Sequence, residues 1–202
     1  MAYFVSNPTI GVSDLNAVYT AGVLGYPWVS STSNPLPSVP IEQMFGQIAS
    51  AQNSAVPTSG GGGGEFIFLR IPTSTTVTAG LMYGWGDATN PYDIVAVPTS
   101  SGTTTTSGNP IAVAINAVSS NATSAQGTWF QVQGICTVLK DAVKMAPGAP
   151  VYFSKSAAGR VRVVGSAFYG IIGMRSATAS TITTTTSSAL MYLNRPALTV
   201  AI

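Results

Sequence analysis

Residues 128–140 read Thr128-Trp129-Phe130-Gln131-Val132-Gln133-Gly134-Ile135-Cys136-Thr137-Val138-Leu139-Lys140. Successive side chains of an extended strand point to opposite faces, so residues two apart share a face. On that period Phe130, Val132, Cys136 and Val138 line one apolar face and form the expected core. Gln131, Gln133 and Thr137 line the other. Trp129, Ile135 and Leu139 fall among the polar residues, so the second face is also partly covered. No helical period reproduces this separation, and the stretch predicts a long strand.

The neighbouring text has the same character. Phe66–Ile71, Thr76–Tyr83, Asp93–Val97, Ile111–Val118, Val151–Ser154, Arg160–Val164, Phe168–Arg175 and Ala189–Asn194 are rich in β-branched and aromatic residues. In Arg160-Val161-Arg162-Val163 the valines are expected to point inward and the arginines outward. Ala158-Gly159 supplies a turn before them, which predicts a hairpin over Val151–Val164. Pro147-Gly148-Ala149-Pro150 is another turn signal. Short strands at this spacing predict a mainly β chain, with an antiparallel β-sandwich or barrel-like domain over residues 65–202. The threonine runs at 103–106 and 183–186 read as loop or edge-strand segments.

Upstream the pattern breaks. Residues 1–56 carry Pro8, Pro27, Pro35, Pro37 and Pro40 and read as an extended, Pro-rich N-terminal arm. Large apolar groups are scattered through it. Tyr3, Phe4, Tyr26 and Trp28 are the candidate anchors, on the chain's own domain or on a neighbouring subunit or surface. Within residues 41–51, Ile41, Met44, Phe45, Ile48 and Ala49 follow helical spacing, which predicts one short helix despite Gly46. Residues 57–64, PTSGGGGG, read as a Gly-rich hinge. A phosphate-binding loop would continue into Lys-Ser/Thr and a helix. Glu65-Phe66-Ile67-Phe68 follows instead.

The 202-residue chain is 46% hydrophobic but only 7% charged, against about 25% charged in an average domain. Residues 1–101 hold Arg70 against Asp14, Glu42, Glu65, Asp87 and Asp93, a net of 1 − 5 = −4. Residues 102–202 hold seven cations against Asp141, a net of 7 − 1 = +6. No Lys/Arg cluster offers the several cations on one face that phosphate backbones require, so nucleic acid is not an expected partner. No stretch reaches the roughly 20 apolar residues of a membrane span, and the first residues lack the pattern of a signal peptide. The expectation is a soluble protein made in a cytoplasm.

Chemistry finds little footing in this composition. Histidine is absent and Cys136 is the sole cysteine, which excludes His/Cys metal sites and internal disulfides. Asp87 and Asp93 are the nearest carboxylate pair, and Asp87-Ala88-Thr89-Asn90-Pro91 reads as a turn rather than half of a glycosidase site. Lys140 and Lys144 are read as solvated. Neither a catalytic residue nor a cofactor is expected.

Several stretches resemble the small decoration, or cement, proteins on capsids of tailed bacteriophages. Gly64-Glu65-Phe66-Ile67-Phe68-Leu69 is similar to a "GEFIYL" pattern after a Gly-rich segment. Pro110-Ile111-Ala112-Val113-Ala114, then Gly127-Thr128-Trp129-Phe130-Gln131-Val132-Gln133-Gly134, resembles the family's apolar strand followed by a G-W-F/Y-Q-V/I-x-G strand. Ala149–Phe153, Ala157–Val161 and Leu193-Asn194-Arg195-Pro196 extend the likeness over about residues 60–197. The resemblance implies a non-enzymatic virion protein on the outside of an icosahedral head, with the major capsid protein as partner and commonly a homotrimer. A reading from another class is a carbohydrate-binding or tail-associated β module that recognises a host surface, with Tyr83, Trp85, Tyr26 and Trp28 as its stacking aromatics.

Overall fold

The computed structural model describes residues 3–5, 18–20, 24–25, 39–40, 45–53, 63–86, 90–95, 109–154, 157–163, 169–177 and 187–201. These residues are all-β, without a helix. The strands are β1 (Tyr3–Val5), β2 (Val18–Thr20), β3 (Leu24–Gly25), β4 (Val39–Pro40), β5 (Ile48–Asn53), β6 (Gly63–Ile71) and β7 (Met82–Trp85). Then come β8 (Ile94–Val95), β9 (Ile111–Ala114), β10 (Gln126–Lys140), β11 (Pro150–Phe153), β12 (Val161–Arg162), β13 (Tyr169–Ser176) and β14 (Ser187–Ala201). Twelve of them form one sheet, and β3 and β4 form a separate pair.

The long strand read first in the sequence is the spine. Along one edge β10 pairs with β6 through residues 126–134; along the other it pairs with β2, β9 and then β14. The sheet closes on itself twice around this strand. One ring runs β6–β10–β9–β7–β8 and returns to β6 through the bridge Arg70↔Asp93. The second runs β10–β14–β13–β11–β12 and returns to β10 through Lys140↔Val161, a parallel contact in an otherwise antiparallel ladder. Closure removes exposed strand edges, which a barrel-like domain requires.

Each ring holds its own core. Ile67, Leu69, Ile71, Ile94, Ala112, Ala114, Phe130 and Val132 fill the first. Ile111, Val113, Cys136, Val138, Phe153, Val161, Met174 and Met191 belong to the second. The four expected core residues of β10 are therefore buried, two in each ring. Strand β9 is a wall between them, with Ile111 and Val113 facing one core and Ala112 and Ala114 the other. The β10–β6 register shifts between Gln131 and Gln133 where the rings meet. Gly134 sits there at φ 98°, and a Cβ on it would lie 2.2 Å from the Gly63 carbonyl oxygen. Only glycine allows that approach.

Three expectations need correction. Residues 41–51 contain no helix in their described part: Phe45–Gly46 is a turn and Ile48–Asn53 is β5. Gly46 takes φ 83°, outside the helical region, and its N–H donates to the Phe68 carbonyl at 2.8 Å. Alternation then governs, with Ala49 buried between exposed Ile48 and Ser50. The hinge also ends earlier than residue 64, because Gly63 and Gly64 pair with Gln52 and Ala51. Finally, Lys140 is not solvated, and Gln131 on the second, partly covered face is buried as well. Gln131 is wholly buried, its amide donating to the Gln133 and Ile135 carbonyls at 3.0 and 3.2 Å. Lys140 is 1% exposed, and its Nζ donates to the carbonyls of Val143 at 2.8 Å and Asp141 at 3.3 Å.

The hairpin expected over Val151–Val164 is present as β11–β12, with Gly159 at φ 73° in its turn. Val161 is buried and Arg162 half-buried, its Nη1 3.9 Å from Asp141. Of the arm, β1 pairs with β5 and β2 with the first residues of β10. The threonine runs lie outside the described residues.

Candidate interaction surface

The expected arm anchors are divided. Tyr3 and Phe4 lie in β1, in register with Asn53 and Gln52. Tyr26 and Trp28 lie outside the described residues, as does Asp87. Asp93, the other carboxylate considered for chemistry, is buried and receives the Arg70 guanidinium on both oxygens at 2.9 and 2.8 Å. It closes the first ring and is committed to that role. Tyr83 and Trp85, considered for stacking on a sugar, pack against the first core. The Tyr83 ring meets Phe130 edge-on at 5.9 Å, and its hydroxyl accepts the Thr78 N–H at 3.0 Å.

Burial pushes the Cys136 thiol far above its ordinary range, so it is a core group and not a nucleophile. Desolvation lowers the Lys140 ammonium, an effect that the neighbouring Asp141 carboxylate opposes. Among the described residues no cluster of three His, Cys, Asp or Glu side chains could hold a metal ion, and no helix is long and apolar enough to cross a membrane.

What the surface does offer is a groove of about 680 Å³ over β11, β13 and β14. Its walls include Pro147, Pro150, Tyr152, Ile172, Arg175 and Tyr192. Ile172 is 58% exposed and Tyr192 is 53% exposed. Alternation places both outward, Ile172 after inward Ile171 and Tyr192 between inward Met191 and Leu193. Between Ile172 and Met174 the β13–β14 register shifts, with Gly173 at φ 73° opposite Arg195 at φ 46°. Ile171 and Met174 then both face the core, and Ile172 is left outside. A side chain on Gly173 would lie 2.5 Å from the Asn194 carbonyl oxygen. The Arg175 guanidinium is steadied by donating to the Gly148 carbonyl at 3.2 Å.

Sequence reasoning did not single out this surface. A signal was available in Tyr169-Gly170-Ile171-Ile172: adjacent isoleucines in a strand cannot share a face.

Charge is paired across the fold. Glu65 accepts the Arg195 Nη2 at 2.9 Å, joining the acidic and basic halves of the chain. All three described carboxylates, Glu65, Asp93 and Asp141, have an arginine within ion-pair distance. Lys144, Arg160 and Arg175 have no carboxylate partner among the described residues, and all three belong to the second ring or its connections. No family model matches the chain, and no curated protein matches it either.

Proposed function

We propose that this chain is a structural protein of a phage virion that binds the outer surface of the assembled major capsid shell and stabilises it. In this reading it works as a homotrimer, without enzymatic activity or cofactor. The observation that carries it is where the resembling stretches fall. Gly64–Leu69 lies in β6, Pro110–Ala114 reaches through β9, Gly127–Gly134 lies in β10, Ala149–Phe153 reaches through β11, and Leu193–Pro196 lies in β14. These are strands of the two-ring frame, Ala157–Val161 is the turn that leads into β12, and none contributes a reacting group.

The physics suits such a task. A closed all-β frame with two cores is a stiff body. Its surface carries few ions and displays Ile172 and Tyr192. Binding the assembled shell but not free subunits would shift the equilibrium toward the shell. Symmetric repetition of modest contacts multiplies the effect.

The test is to mix purified protein with empty phage heads and sediment them. Saturable co-sedimentation, and heads that survive heating better when decorated, are the expected results. Bare heads at micromolar protein would overturn the reading. The carbohydrate-binding alternative keeps only half-buried Tyr83 and Trp85, whose rings pack against the first core; a glycan array tests it directly.

A further inference from the structure

The groove lies on the outward face of the second ring, and the strand register shows how that face is built. Ile135 stands opposite Tyr192, Tyr192 opposite Arg175, and Arg175 opposite Pro150, a row across β10, β14, β13 and β11. Neighbours in register share a face of the sheet. Met191 and Leu193, on either side of Tyr192, belong to the second core, so the row points away from it. Ile135 is half-buried, and Tyr192, Arg175 and Pro150 are exposed. One cation therefore stands in an apolar row, between an aromatic ring and a proline. Beside the row the ladder is interrupted. Pro150 pairs with Arg175 and Val151 with Ile171, so Ile172, Gly173 and Met174 stand opposite no residue of β11. Gly173 is exposed there, and without a side chain it lets a second main chain come close.

The charge at this place is uncompensated by the described residues. The Arg175 guanidinium donates to the Gly148 carbonyl, which holds it over the groove. The described carboxylates Glu65, Asp93 and Asp141 are each held by another arginine. The planar fork of an arginine matches the two oxygens of a carboxylate. Residues 102–202, which supply β9 to β14, carry a net of 7 − 1 = +6, a field that draws anions. A phosphate backbone would need several cations on one face, and this groove offers one arginine.

We propose that the groove binds an extended acidic segment of a partner protein, with a carboxylate on Arg175 and the apolar neighbours of that carboxylate against Ile172 and Tyr192. Charge complementarity selects the acid, because Arg175 is the ionic group of the groove and faces it without a described carboxylate. The interrupted ladder selects an extended chain, whose alternate side chains fill apolar pockets while its main chain runs along the strands. Tyrosine and arginine side by side are also the residue types that anchor protein interfaces. The inference goes beyond the proposed function and holds whether or not the partner is a capsid protein.

The experiment is an amide chemical-shift titration of the isotope-labelled full chain with two capped peptides, acetyl-Gly-Leu-Glu-Leu-Gly-amide and its Gln counterpart. Saturable shifts are expected for the Glu peptide, confined to residues 148–152, 170–177 and 192–194. The Gln peptide is expected to bind about tenfold more weakly. Arg175→Gln should bring the Glu peptide down to the level of the Gln peptide, and Tyr192→Ser should weaken both peptides. The peptide exchange needs no variant, so the test survives a substitution that prevents folding. Absence of saturation up to about 5 mM peptide, an affinity too weak for any specific contact, overturns the proposal. Shifts centred elsewhere, equal binding of the two peptides, or a folded Arg175→Gln variant that binds like wild type overturn it as well. Maltohexaose shifting the same residues when the Glu peptide does not would assign the groove to a neutral glycan instead. Sedimentation with heads is read separately: peptide binding by a protein that leaves heads bare sinks the capsid reading and leaves this site standing.

Discussion

The two rings share β10 yet are closed by different means. The first is built from short strands, β7, β8 and β9, and its seam is a charged one. Arg70 pairs with Asp93 at 2.8 Å, with the arginine side chain 33% exposed. The second is built on the long ladder of β13 and β14, and its seam is the Lys140↔Val161 contact, where the ammonium is buried among backbone carbonyls. The first seam uses a part-buried ion pair whose carboxylate is buried and whose arginine reaches solvent. A buried seam needs a cation that satisfies carbonyls no strand reaches, and it bears the cost of desolvating that cation. Ring closure therefore does not prescribe one chemistry: the first seam is held by Arg70 and Asp93, the second by Lys140 on backbone carbonyls with Arg162 near Asp141.

The sharpest way to break this comparison is to damage one core at a time. Phe130→Ala in the first ring should cost about 3–5 kcal/mol, and Met191→Ala in the second about 2–5 kcal/mol. If β10 couples the rings, each variant melts in one transition at a lower temperature. Two separated calorimetric transitions would show that the rings are independent units, and an unchanged melting temperature would contradict the burial of that residue.

The junction is the next test. Gly134→Ala places a Cβ against the Gly63 carbonyl at φ 98°, with an expected loss of about 2 kcal/mol or more. Denaturant titration measures it. A neutral result would mean that the crossing of β6 and β10 relaxes freely.

The seams should respond more weakly. Asp93→Asn removes the charge at the first seam and should cost about 1 kcal/mol, because the pair is partly solvated. The effect should shrink as salt is raised. A much larger, salt-independent loss would place that pair with the buried seam instead.

Lys140 gives the smallest and most specific signal. Its folded-state pKa is lowered by burial, so the unfolded chain holds the extra proton between that lowered value and the ordinary lysine value of about 10.4. Unfolding free energy should therefore rise with pH through that window, and the gain should be lost as pH falls through the folded value. Lys140→Met should flatten this rise. A slope that survives the substitution would assign it to another group.

Much of the frame was legible in the sequence. Alternation in Thr128–Lys140 marked Phe130, Val132, Cys136 and Val138 as inward, and they are buried. Gly159 marked the hairpin of β11 and β12. Other features were not legible. Ile41–Ala51 matched helical spacing, but Gly46 and the bonds to β6 draw its described part into a turn and a strand. Lys140 was read as solvated but is buried, and nothing in the alternation showed how deeply Gln131 lies on its partly covered face. The groove was not singled out although Ile172 must face away from Ile171; what alternation could not show is the register shift that turns Met174 back toward the core.

By itself, then, the sequence determined that this is a β protein and which face of its longest strand is apolar. Both follow from side-chain alternation within a few residues. The tertiary structure decided that the sheet closes twice, that Phe130 and Cys136 serve different cores, and that Gln131 and Lys140 lie inside. Those outcomes depend on partners distant in the chain, such as Leu193 opposite Gly134 and Asp93 opposite Arg70. A short-range pattern shows which face of a strand is apolar, but which strands meet across that face is settled by hydrogen-bond pairing and core packing over the whole chain.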